Sequence, residues 1–174
     1  MNLETLYNGA KRCVEDPGEP GYPGILSRRI SVTPQEEKLL TALCYRENVV
    51  LEIGTGLGVS TRAIARGARS VITVDIDAWV HENIWPTLPI NVLTQSAVPY
   101  KHVVDVVFID GLHLPEAVRR DIQDALVVLR PDGFFLFHDI LIDKVREPIE
   151  ATLGEAPVAL SENLGWLPNP RGQQ

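Results

Sequence analysis

The apolar positions of this chain change period several times, and each change marks an element. Leu3, Leu6, Tyr7, Ala10 and Val14 recur at helical spacing and predict an amphipathic helix over residues 3–15. Residues 16–24, DPGEPGYPG, hold three prolines and three glycines in nine positions and predict a linker or lid. Apolar character resumes at Ile25 and Leu26, while residues 27–32 suit a loop or a short strand equally. A second helix opens at Thr33 and runs to about Tyr45: Thr33 caps, Pro34 fits the first helical position, and Glu36 suits the positive end of the dipole. Val49, Val50, Leu51 and Ile53 then form a short, largely β-branched run, the pattern of a strand buried on both faces of a parallel sheet. Gly54, Gly56 and Gly58 follow it, then a helix over 59–66 with Gly67 at the C′ position.

Strand and helix patterns go on alternating. Strands are predicted at 70–75, 90–94, 103–109 and 134–137, with a short helix at 78–84 behind Asp77. Pro115 starts a longer helix whose Val118, Ile122, Ala125, Leu126 and Leu129 make one apolar stripe, ended by residues 130–133. Residues 144–153 predict another helix, kinked or restarted at Pro148, followed by a hairpin of 157–160 and 164–167 around Ser161, Glu162 and Asn163. The tail, 169–174, reads as disordered. The chain thus divides into an N-terminal helix and lid at 1–33, one α/β domain at 34–168, and the tail.

Composition narrows the partners. At 174 residues there is room for one domain with a full core. A net charge of -7 weighs against nucleic acid, whose phosphates need clustered Lys and Arg, and favours a small-molecule partner. The N-terminus lacks the apolar stretch of a signal peptide, and no run approaches the roughly 20 residues of a membrane span, so a soluble, cytoplasmic protein without a membrane partner is expected. The helix at 3–15 offers a face for a homodimer. Cys13 and Cys44 form no metal-like pair and read as small helix-face residues.

A glycine-rich turn after a buried strand fits a dinucleotide, S-adenosylmethionine (SAM) or mere tight packing. Dinucleotide fingerprints want a glycine three residues after the second, and here that position is Val59. Glu52, just ahead of Gly54, would repel a pyrophosphate but suit a ligand carrying a cationic amine and a sulfonium. Asp75 ends the second strand about 20 residues on, placed to hold ribose hydroxyls in either ligand class. With these residues in view, Glu52-Ile-Gly-Thr-Gly-Leu-Gly58 resembles the first motif of class I SAM-dependent methyltransferases. The segment from Phe108 to Ile140, with Asp110-Gly-Leu-His113 and the later pair His138-Asp139, is similar to a small O-methyltransferase-like branch carrying an IDG-x-H motif.

The resemblance implies a doubly wound, mostly parallel, seven-stranded Rossmann-like sheet in the order 3-2-1-4-5-7-6 with a short C-terminal hairpin. It implies SAM as cofactor, held by Glu52, Gly54, Gly56, Gly58, Asp75, Ser96 and Asp110, and methyl transfer to a small acceptor, most simply at oxygen. Trp79 suits packing or stacking on adenine, and Gln95 and Ser96 follow the third strand, where the family reaches the adenine. Two devices would remove the acceptor proton. Asp110 and Asp139 could hold Mg²⁺ or another divalent ion, as in catechol-type O-methyltransferases, although Ile140 stands where those enzymes carry Asn. Alternatively His113, with Asp110 beside it, is the general base. A SAM-binding regulator or assembly component, and an NAD(P)-dependent oxidoreductase, are the rival readings.

Overall fold

The computed structural model describes residues 32–45, 48–84, 91–92 and 104–173. The helix predicted at 3–15, the lid at 16–24, Gln95 and Ser96 lie outside the described residues, as does the side chain of Trp79. Helix α1 (Pro34–Leu43) begins with a capping box, in which Thr33 Oγ1 accepts from the Glu36 amide at 3.3 Å and Glu36 Oε2 accepts from the Thr33 amide at 2.8 Å. Strand β1 (Val49–Ile53), α2 (Val59–Gly67), β2 (Ser70–Val74), α3 (Ala78–Asn83) and β3 (Asn91–Val92) form the first half of the winding. The second half is β4 (Val104–Ile109), α4 (Pro115–Val128), β5 (Leu129–Phe137), α5 (Asp143–Leu153), β6 (Val158–Ala159) and β7 (Gly165–Pro168), followed by a 3-10 turn at Pro170–Gln173.

The sheet order is β3-β2-β1-β4-β5-β7-β6, with β1 to β5 parallel and β7 antiparallel to both of its neighbours. This is the expected doubly wound sheet. Side chains alternate across it, so Leu51, Val107, Ile109, Phe135 and Phe137 pack with Val118, Ile122 and Ala125 of α4 and with Val145 and Ile149 of α5. Val50, Val106, Phe108 and Leu136 face the other way, against Leu40 of α1 and Ala63 and Ile64 of α2. Among the described residues no helix is long and apolar enough to cross a membrane.

Several expectations need correction. Strand β5 starts at Leu129, not at Phe134, because Leu129 pairs with Val104 before a register shift between Val104 and Val106. Leu129 therefore belongs to the sheet, and Val128 takes its place on the buried stripe of α4. Gly67 does not supply a left-handed cap, since the residue after the helix, Ala68, is extended. A Cβ at Gly67 would overlap the carbonyl oxygens of Thr41 and Cys44, so glycine is required there by the close approach of α1 to α2. Helix α5 runs unbroken through Pro148, whose ring is buried with Val145 and Ile149. The first hairpin strand is shorter, at Val158–Ala159, and the second keeps its four residues but is shifted by one, at Gly165–Pro168. Nor is the tail loose: Asn169 is 1% exposed, its amide donating to the Arg130 carbonyl at 2.7 Å, while Arg171 donates to the Leu129 carbonyl at 2.9 Å.

Candidate functional site

The parallel register aligns the ends of four strands. Ile53 pairs with Val74 and Ile109, and Ile109 with Phe137, so Gly54, Asp75, Asp110 and His138 are the next residues out along one edge. Ligands of open α/β sheets sit in the crevice at that edge. The ladder continues one residue beyond the strands, with the amide of Asp110 donating to the Ile53 carbonyl at 2.8 Å and that of His138 to the Ile109 carbonyl at 3.0 Å.

The three glycines of the turn divide in role. Gly54, at φ +97, is where β1 meets the tip of β4, and a Cβ on it would overlap the Asp110 carbonyl oxygen; packing demands this glycine. Gly56, at φ +48, has nothing among the described residues within 4 Å of where its Cβ would stand, so none of them covers the backbone on that side. Gly58 is the N-cap of α2. Asp75 ties the turn down: its Oδ2 accepts from the amides of Thr55 at 2.8 Å and Gly56 at 2.9 Å, and its Oδ1 from that of Asp77 at 2.8 Å. A carboxylate offers about four acceptor positions, which leaves Asp75 capacity for a further donor at the rim of the crevice.

Glu52 is a correction. The sequence places it against the ligand's cationic groups, but its side chain is fully buried between β1 and α2. Its oxygens accept from Ser60 Oγ at 2.7 Å, Thr61 Oγ1 at 2.5 Å and Thr73 Oγ1 at 2.6 Å, and Thr55 Oγ1 extends the chain to Thr73 Oγ1 at 2.6 Å. Glu52 therefore holds the first turn of α2 and, through Thr73 and Thr55, the glycine turn in place from within the core. Period-2 alternation is the reason: Glu52 follows Leu51 and so turns to the α2 side of the sheet.

Burial pushes the Glu52 carboxyl up to about 7, against the three hydroxyl bonds that favour its ionised form. A folded pKa above the unfolded one means that the native state binds the proton more tightly. The resulting stability is fully present below the unfolded value near 4.5 and is lost as pH rises to about 7. Urea unfolding at pH 4.5 and pH 7 should show a loss from this group of up to about 3 kcal/mol. In Glu52→Gln that portion of the profile should flatten; parallel profiles for the two proteins would show that another group carries it.

At the tips of β4 and β5 the predicted quartet comes together. His113 Nε2 lies 3.3 Å from Asp139 Oδ2 and 4.0 Å from Asp110 Oδ1, and one ligand atom from each of Asp110, His113 and Asp139 falls within 4.8 Å of the others. His113 is 36% exposed and the aspartates 15% and 13%, so the cluster opens outward through the histidine. Asp139 has φ +55, a left-handed backbone unusual for a residue with a side chain, which is strain of the kind that gathers at working sites.

His138 behaves differently from His113. It is 2% exposed, with Nδ1 3.3 Å from both Asp110 Oδ1 and Asp139 Oδ2, and Nε2 3.5 Å from Glu36 Oε2. Neither ring nitrogen has a hydrogen-bond partner in line among the described residues. Burial alone would lower its pKa, but the two aspartates outweigh that and raise it to about 10, favouring the charged form of the ring. Burial holds Asp110 above the ordinary carboxyl range despite this neighbour, whereas in less buried Asp139 the imidazolium wins and the pKa falls. The sequence does not point to Glu36 as a member of this group, because its place at the positive end of the α1 dipole already accounts for an acid there; its contacts with His138 and with Ser161, 125 positions away, are long-range.

The model of the family described as a methyltransferase domain matches residues 51–140, which span the glycine turn and both histidine-bearing tips. No curated protein matches the chain. Among solved structures the fold is similar to that of the O-methyltransferase TomG of Streptomyces achromogenes, in complex with SAM. That match has 18% identity and a TM-score of 0.59, covering 95% of this chain and 88% of that one. It is also similar to an O-methyltransferase of Bacillus cereus in complex with SAH, at 18% identity and a TM-score of 0.61, covering 94% of this chain and 87% of that one.

Proposed function

Because this chain belongs to the methyltransferase-domain family, we propose that it transfers the methyl group of SAM to an oxygen of a small acceptor. The observation that carries this reading is the Asp110, His113 and Asp139 cluster, standing directly against the glycine turn where Gly54 meets the Asp110 backbone. SAM would be held beside Gly56, with Asp75 placed to accept from a ribose hydroxyl and the tip of β4 beside the reacting groups. In the reaction the acceptor oxygen forms a bond to the methyl carbon as the carbon–sulfur bond breaks, its electron pair returning to sulfur. The sulfonium is already activated, so the protein has to orient the acceptor and take its proton.

Two carboxylates and an imidazole within 4.8 Å of one another suit a divalent ion such as Mg²⁺ or Mn²⁺. Bound there by Asp110 and Asp139, with His113 as third ligand, the ion would lower the pKa of the acceptor hydroxyl. Ile140 is 5% exposed in the core, so it supplies no oxygen in place of the family's Asn. The 3.3 Å pairing of His113 with Asp139 favours a second reading, in which Asp139 fixes the Nε2–H tautomer and leaves Nδ1 to accept the proton.

Since Glu52 lies away from the crevice, its charge no longer argues against NAD, and Val59 and the family carry that choice. Calorimetric titration with SAM, SAH and NAD separates the alternatives. Binding of SAM and SAH is expected, with Asp75→Ala weakening both by roughly 1.5 to 3 kcal/mol through loss of its charged hydrogen bond. NAD binding without SAM binding would end this reading. SAM binding without turnover of any hydroxyl acceptor would leave a SAM-binding regulator.

A further inference from the structure

The acid at the third position of a capping box ordinarily faces water, and Glu36 does not. It is 2% exposed, and its carboxylate turns inward from α1, outside the segment that the family model matches. Oε1 accepts from Ser161 Oγ at 2.7 Å, in the turn between β6 and β7. Oε2 accepts from the Thr33 amide at 2.8 Å and faces His138 Nε2 at 3.5 Å. Across the ring, Nδ1 stands at 3.3 Å from one oxygen of Asp110 and one of Asp139, and the same Asp139 oxygen is 3.3 Å from His113 Nε2. A buried imidazole with carboxylates facing both ring nitrogens is held in place, because rotating it would take a nitrogen away from the oxygens that face it in a site closed to water.

We propose that Glu36 is a positioning residue of the site: acting through His138, it fixes where the carboxylates of Asp110 and Asp139 stand opposite His113. The proposal rests on the reading of Asp110, His113 and Asp139 as the working groups. Three groups outside the Asp110, His113 and Asp139 cluster thereby shape the centre: the start of α1, the buried ring at the tip of β5 and the hairpin turn at Ser161. A residue of this kind resembles the outer ring of partners around a metal ligand, whose loss commonly weakens metal affinity by about 10- to 100-fold.

The test compares Glu36→Gln, which keeps the shape and removes the charge, with Thr33→Ala, which removes the cap hydroxyl and spares the carboxylate. Two properties are read at one fixed pH: affinity for Mn²⁺ alone, by electron paramagnetic resonance, and the ring-nitrogen NMR resonances of His113, which does not touch Glu36. Glu36→Gln is expected to weaken Mn²⁺ binding at least about tenfold and to shift the His113 resonances, with Thr33→Ala matching wild type in both. A folded Glu36→Gln protein with wild-type Mn²⁺ affinity and unshifted His113 resonances would overturn the proposal. If wild type takes no Mn²⁺, the metal reading falls by itself, and the His113 resonances decide alone in the same two directions. Should Glu36→Gln fail to fold, Ser161→Ala removes the donor to Oε1 and is read on the same resonances with the same outcomes.

Discussion

Gly56→Val is expected to abolish SAM binding while the protein remains folded. Among the described residues no atom lies within 4 Å of the Gly56 Cβ position, so the branched side chain would stand on the face along which the proposed cofactor is held. The φ of +48 costs a β-branched residue on the order of 1–3 kcal/mol, a strain that a domain with two packed cores can carry. Gly54→Ala, two residues earlier, should behave in the opposite way. Its methyl would overlap the Asp110 carbonyl and pry β1 from β4, so stability should fall before affinity can be measured. Calorimetry with SAH beside urea unfolding separates the two effects. Wild-type SAH affinity in a folded Gly56→Val protein would move the cofactor away from this turn.

The second large effect belongs to the tips of β4 and β5. Asp139→Asn should lower turnover by roughly 10² to 10⁴, the range a positioned acid–base group contributes. Asp139 serves either device: it is a carboxylate ligand in the metal reading and the partner that orients His113 in the other. A chelator tells them apart once an acceptor has been found by screening hydroxyl compounds. Activity that vanishes in chelator and returns with Mg²⁺ or Mn²⁺ places an ion between Asp110 and Asp139. Full activity in chelator, with a comparable loss in His113→Ala, assigns the proton to His113. Activity that survives the chelator, His113→Ala and Asp139→Asn together would remove the cluster from the reaction.

Much of the architecture was legible because its signals are local. Val49 to Ile53, the glycine turn and the 3.6-residue stripe of α4 are each written within one short window, and alternating strands and helices with right-handed crossovers admit few sheet orders. The sheet order implied by the resemblance to class I SAM-dependent methyltransferases sets the tips of β4 and β5 side by side, and with them Asp110, His113, His138 and Asp139.

What only the tertiary structure decided concerns which way a side chain faces and what lies behind it. Glu52 and Asp75 look alike in sequence, each an acid at or near the end of an apolar strand. One is fully buried under three hydroxyls behind the sheet, and the other holds the turn at the crevice, because a strand presents alternate residues to opposite faces. Gly54, Gly56 and Gly67 are the same residue type with different reasons for being there, and those reasons are set by α1 or the tip of β4 packing close, or by nothing packing at all. Glu36 has a sufficient local explanation as a cap, and nothing in a one-dimensional pattern says that Ser161, 125 residues on, completes it. Local periodicity marked the strands and helices, and the resemblance carried by the glycine turn and the IDG-x-H segment ordered them; only long-range packing decided which acids and histidines are buried and what each one faces.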